Sequence, residues 1–235
     1  MRQNQEIRKV QEKISYQMRL DSSGFHLSSF DDYYAIFLKP KNNISDKMVF
    51  SLFPIDGGVL LSQLNHSIIS SQVNVIMSFL DSAFNQLEDT LIDRRGFYDS
   101  QKIREDISVL VLNQKEIKED NILMVGNIFK KYYSKHAIPF FSEIKSLEDI
   151  NNKVLDKEEW QNWSDYIFGK TYLKAMVILK LVNNEKGYNE FIQMYIPRIE
   201  EGIKNGREDL KTYLADVKKL NSYLKRSAYK DLPEK

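Results

Sequence analysis

Along the first eighteen residues, apolar side chains return at Ile7, Val10, Ile14 and Met18, with charged residues between them. Steps of three and four place them on one face, so the spacing predicts an amphipathic helix from residue 1 to about 24. Asp21-Ser-Ser-Gly24 stops it, and Gly24 before Phe25 suits a left-handed helix cap closed by an apolar contact. From Asp32 the period shortens to two. Tyr34, Ile36 and Leu38 alternate up to Pro40, Lys41-Asn-Asn makes a turn, and Met48, Phe50 and Leu52 share one face of a second run. Asp56-Gly-Gly58 then leads into Val59-Leu-Leu-Ser-Gln-Leu64. Alternation, aromatic and β-branched content and glycine turns predict three antiparallel strands, with Pro54 tolerated at a strand end.

Helical spacing returns at Val73, Ile76, Met77, Leu80, Phe84 and Leu87, and the short apolar run ISVLVLN from Ile107 predicts a fourth strand. Beyond about Asn113 the pattern is helical, over 117–135, 147–155, 157–182, 185–204 and 207–228. Pro197 lies inside the fourth of these and predicts a kink. In the last, Leu210, Tyr213, Val217, Leu220 and Leu224 form the seam of a helix packed on its predecessor through Lys204-Asn-Gly206. The fold class is α+β: an antiparallel sheet of about four strands packed by helices, then a helical C-terminal half ending in an antiparallel helix pair. Residues 1–180 form the α+β domain and 181–235 a helical extension packed on it.

The stretch 134–150, SKHAIPFFSEIKSLEDI, gathers His136, Glu143, Glu148 and Asp149 around a proline. His136, Glu148 and Asp149 have structural explanations. Ser146 with Asp149 three residues later is a helix-start pattern, and Glu148 and Asp149 meet the positive end of that helix. Pro139 disfavours the helical conformation before it, so the preceding helix should end near His136, whose ring complements a helix C-terminus. Phe140, Phe141 and Ile144 are expected core anchors. Together with Gly24-Phe25 and Tyr33-Tyr34, the segments Ile138-Pro-Phe-Phe141 and Ser146-Leu-Glu-Asp-Ile150 make residues 5–180 resemble the bacterial domain-of-unknown-function 4304 family. That resemblance implies a small α+β domain with kinship to immunity-type proteins of bacterial conflict systems, and it carries no established chemistry. The chain departs from the family in its long helical tail and in the strongly apolar Val109–Leu112.

Composition narrows the function. Thirty-four basic residues against thirty-three acidic ones leave a net charge of +1, so there is no global field for nucleic acid or an anionic membrane. Cysteine is absent, which excludes disulfides, thiolate metal sites and cysteine nucleophiles. The N-terminus is polar where a secretory signal needs an apolar core, and no apolar run approaches a membrane span, so a cytoplasmic protein is expected. His26, His66 and His136 sit in no triad pattern, Gly57-Gly58 forms no phosphate loop, and no metal-ligand spacing occurs. No catalytic residue, metal or cofactor is therefore assigned. Asp156 with Glu159 repeats the helix-start pattern, and Arg94-Arg95 reads as a solvated turn.

Trp160 and Trp163, three apart, read as a core row or as a partner surface. Between Lys204 and Lys235 nine bases face five acids, interleaved with Tyr213, Tyr223 and Tyr229. The expected partner-binding residues are Trp160, Trp163, Lys218, Lys219, Lys225 and Arg226. The leading reading is a non-enzymatic protein-binding domain, of the immunity type by resemblance. An accessory nucleic-acid-binding protein using the basic C-terminal helix is the alternative, and an undetected hydrolase the third.

Overall fold

Gly24 takes the left-handed conformation (φ 84°) and donates its N–H to the Asp21 carbonyl, while the Phe25 N–H returns to Leu20. The apolar clasp is in place, with Phe25 only 3% exposed. In the computed structural model, which describes residues 2–30, 34–55, 58–80, 90–93, 122–227 and 229, this turn joins α1 (Arg2–Met18) to β1 (His26–Phe30). β2 (Tyr34–Pro40), β3 (Ser45–Ile55) and β4 (Gly58–Ile69) follow, then α2 (Ser71–Met77) and β5 (Thr90–Asp93). The strands form one five-stranded antiparallel sheet ordered as they occur in the chain. The α+β class holds, and among the described residues β1 and β5 are strands beyond those expected. β1 and β5 are too short to show a period. The expected strand from Ile107, the Arg94-Arg95 turn and residues 117–121 lie outside the described residues.

The inward face of β2 corrects the sequence reading. Ala35 and Phe37 are buried, whereas Ile36 and Leu38 are half-buried and Tyr34 is exposed. Both faces of this strand are apolar, so alternation alone could not choose. Pairing chooses: Ala35 lies opposite Phe50, and Phe37 opposite Met48, which are buried as expected. Phe37 stacks on Phe50 at 5.0 Å, and Phe50 on Phe129 at 5.2 Å.

The chain divides into two compact units, residues 1–68 with 93–145, and residues 69–92 with 146–235. In the first, α1 packs on α3 (Ile122–Tyr132) and on β3. The helix does not stop near His136. Tyr133–Ala137 forms a π-helical turn in which the Ile138 N–H reaches back to the Tyr133 carbonyl, and α4 (Ile138–Glu143) continues with Pro139 in its first turn. The π turn changes the hydrogen-bond register where proline has no N–H to give and its ring needs room. Phe140, Phe141 and Ile144 are buried, as expected.

Asp46 is the polar member of β3's buried face, in line with Met48 and Phe50. The Lys41 ammonium lies 2.5 Å from its carboxylate and donates to the carbonyls of Phe141 and Ile144 at 2.7 and 3.3 Å. Burial pushes the Asp46 carboxyl up from 3.8 to about 6, outweighing the downward pull of Lys41 and Lys39.

In the second unit α5 (Leu147–Ile150) runs into a π turn over Asn151–Leu155. The helix expected over 157–182 is broken. Trp160–Asp165 is a 3-10 turn, Gly169 takes φ 81°, and only α6 (Thr171–Leu181) is α-helical. Ile167 bridges Ile92, and the Phe168 N–H bonds to Leu91, so the backbone here serves β5 instead of a helix. From Leu173 to Lys180 every residue of α6 is buried, which makes it the central helix of the unit. α2, α7 (Glu185–Lys204) and α8 (Leu210–Lys225) pack against it. α7 runs through Pro197. α7 and α8 are antiparallel, as expected: Tyr188 meets Asn221, Tyr195 meets Tyr213, and Lys218 meets Glu200. Gly206 makes the connection in the left-handed region at φ 91°. Val217, Leu220 and Leu224 are buried, and Leu210 is half-buried beside Gly202, where a side chain would come within 2.8 Å of it.

Two outcomes follow for stability. Phe140→Ala should cost about 3–5 kcal/mol in urea unfolding, since its fully buried ring would leave a cavity. Asp46 binds its proton more tightly folded than unfolded. Its contribution is therefore fully present below pH 3.8 and is lost as pH rises through about 6. The stability difference between wild type and Asp46→Asn should change by roughly 2 kcal/mol between pH 7 and pH 4, with wild type gaining on acidification. A difference independent of pH would refute this.

Candidate functional site

The histidines that chemistry would need are built into the packing. His66 occupies an inward position on β4 between Leu64 and Ile68 and is fully buried. Its Nδ1 lies 2.7 Å from the Tyr132 hydroxyl, one donating and the other accepting. The rings of Tyr132, Phe140 and Phe141 meet it edge-on at 5.5, 5.0 and 5.8 Å. His136 is 5% exposed, with its ring 5.3 Å from Tyr132. His26 is exposed on β1. A general base must reach a substrate proton, and the His66 and His136 imidazoles are withdrawn from solvent.

The carboxylates also divide by role. Ser146 caps α5 by accepting the Asp149 N–H at 3.3 Å, as its spacing predicts, and Glu143 and Glu148 are exposed. Asp156 does not start a helix with Glu159, because the turn that follows has no side-chain cap. It closes a polar ring instead. Asn151 donates to Asp156 Oδ2 at 2.7 Å, and Asn184 donates to Asp156 Oδ1 at 3.0 Å and to Asn151 Oδ1 at 2.9 Å. The remaining Asn184 oxygen accepts the Gly187 N–H at 2.9 Å and so caps α7. A side chain at Gly187 would press into that amide at 2.8 Å. Among the described residues, no three His, Asp or Glu side chains converge as metal ligands.

Trp160 and Trp163 share the 3-10 turn rather than a helix face. Trp163 is 4% exposed, donates its indole N–H to the Glu158 carbonyl at 3.2 Å and packs on Phe191 at 4.9 Å, so it offers no partner surface. Trp160 is half-buried, edge-on to Tyr172 and Tyr195 at 5.7 and 5.6 Å. Tyr195 bonds the Tyr213 hydroxyl at 3.0 Å, and burial raises its phenol far above the usual range.

The cations of α8 are not equivalent. Lys218 pairs with Glu200 at 2.8 Å and holds that carboxyl below its usual range. The Lys219 ammonium lies 5.0 Å over the ring of Phe79, and Phe79 stacks on Tyr223 at 4.3 Å. Lys225 and Arg226 are exposed, and among the described residues neither makes an ion pair. Phe79, 44% exposed, was not singled out by the sequence reading. Its signal was available, since a phenylalanine off the register of Val73, Ile76 and Leu80 falls on a helix's polar side.

A second surface was also missed. Leu123, Met124, Asn127, Ile128 and Lys131 line an open groove of about 460 Å³ along α3. Leu123 is 58% exposed and Met124 43%, while Val125 and Phe129 face inward. The run ILMVGNIF carries more apolar residues than one buried stripe uses, which was the hint. No helix among the described residues is long and apolar enough to cross a membrane.

Asn184 gives a test of the polar ring. Asn184→Ala should cost about 1–2 kcal/mol, as loss of a helix cap does. Asn184→Asp keeps a cap acceptor but sets a second carboxylate against Asp156, so by urea unfolding it should recover stability only at acid pH. Recovery at neutral pH would show that the contact with Asp156 is unimportant. Comparison with family models, with curated proteins and with solved structures finds no match to this chain.

Proposed function

We propose that this is a non-enzymatic protein-binding domain. The observation carrying this reading is the α3 groove, where Leu123, beside Met124 and Ile128, keeps more than half of its surface in water and Lys131 closes one end. Exposed apolar side chains grouped with a flexible methionine suit protein contacts. The lining residues include no acid or imidazole that could serve as a general base. The immunity-type assignment rests on the family resemblance of residues 5–180 alone. A nucleic-acid reading is favoured by one feature, the four lysines against one aspartate on α8.

Affinity capture from a bacterial lysate, with and without nuclease, separates the two. A protein partner should survive nuclease, and Leu123→Asp should lower its recovery at least about tenfold, the effect of losing one apolar contact of about 1.4 kcal/mol. The melting temperature should barely move, as for other exposed substitutions. Loss of every partner after nuclease would overturn the reading.

A further inference from the structure

We infer that the surface formed by Phe79, Tyr223, Lys219 and Arg226 docks an acidic segment of a protein partner. The inference rests on the protein-binding reading and names the chemistry of what is bound. Lys219, Tyr223 and Arg226 follow one another at steps of four and three, so they share a face of α8 and its end. Phe79 joins them from the other part of the unit, stacked on Tyr223. Among the described residues their charge is not spent on an acid. Lys211, Lys218 and Arg207 are neutralised by Glu208, Glu200 and Asp209, whereas Lys219, Lys225 and Arg226 make no ion pair among the described residues. Asp216, three residues before Lys219, is the one acid on α8.

An exposed ring flanked by unspent cations complements carboxylates next to apolar side chains. The Arg226 fork takes a carboxylate in bidentate fashion, and an ammonium held over a ring is partly stripped of water. A nucleic acid fits less well. Phe79 already has Tyr223 against it and the Lys219 ammonium over its ring, so a base would have to displace one of them before stacking. Three cations also neutralise few phosphates.

The test is fluorescence anisotropy with a labelled acidic peptide carrying one phenylalanine, its lysine-substituted counterpart, and oligo(dT), all at one salt concentration. The acidic peptide should bind and the lysine peptide should not. Lys219→Gln with Arg226→Gln should weaken binding at least about tenfold. Lys211→Gln with Lys218→Gln removes the same net charge and should leave binding within about twofold, because those lysines are already paired. Equal losses from the two double variants, no binding of the acidic peptide, or oligo(dT) binding as tightly through the same two residues would each overturn the inference. A nuclease-resistant partner whose capture needs Leu123 but ignores both double variants would also overturn it, while leaving the protein-binding reading intact.

Discussion

The Lys41 ammonium is where the sheet and the helical part of the first unit are made to agree. It reaches from the β2–β3 turn to the buried Asp46 carboxylate and to the carbonyls of Phe141 and Ile144 at the end of α4. Those carbonyls have no partner within their own helix, because a helix leaves its last four unbonded. One cation thus answers two demands, a charge in a core position and an open helix end. It also fixes where α4 stops against the hairpin. That places Phe140 and Phe141 around His66, and the core closes.

The second unit meets the same demand with different groups. Lys174, fully buried in α6, donates to the carbonyls of Thr90 and Phe168 at 2.7 and 2.9 Å. It ties the central helix to β5 and to the irregular turn where a longer helix was expected. Asn184 does the equivalent at the start of α7, satisfying Asp156, Asn151 and the helix end together. Gln11, in the first unit, is an exception to such pairing. Its amide is buried in α1 with neither atom hydrogen-bonded, and nothing in the structure explains it.

What could be read from the sequence follows from which interactions are local. The Ser146 cap, the left-handed turn at Gly24 and the α7–α8 seam depend on residues a few positions apart and appear as expected, although Gly24 closes a 3-10 turn beyond the end of α1 at Met18. Where long-range partners decide, pattern alone failed. The buried face of β2 is chosen by β3, and the break before α6 by the bridge from Ile167 to Ile92. The π turn that carries the chain past Pro139 needs a hydrogen-bond register that spacing cannot express. The expected partner residues divide for the same reason. Lys219 lies over the ring of Phe79, 140 positions earlier in the chain, while Trp163 went into the core.

Surface charge is legible in the sequence only as a total. Counting along 204–235 yields an excess of four positive charges, a weak hint of an anionic partner spread over a whole tail. The structure redistributes that excess. Lys218 spends its charge on Glu200 across the helix pair, and Arg207 and Lys211 spend theirs within the connecting turn. Exposed pairs of this kind add little stability, but each removes a cation from what a partner could use. Among the described residues, the α8 cations left without an ion pair lie toward its far end, where Lys219 meets the exposed ring of Phe79. Net charge sets how strongly a helix attracts an anion from a distance; pairing decides where on the helix that anion would settle.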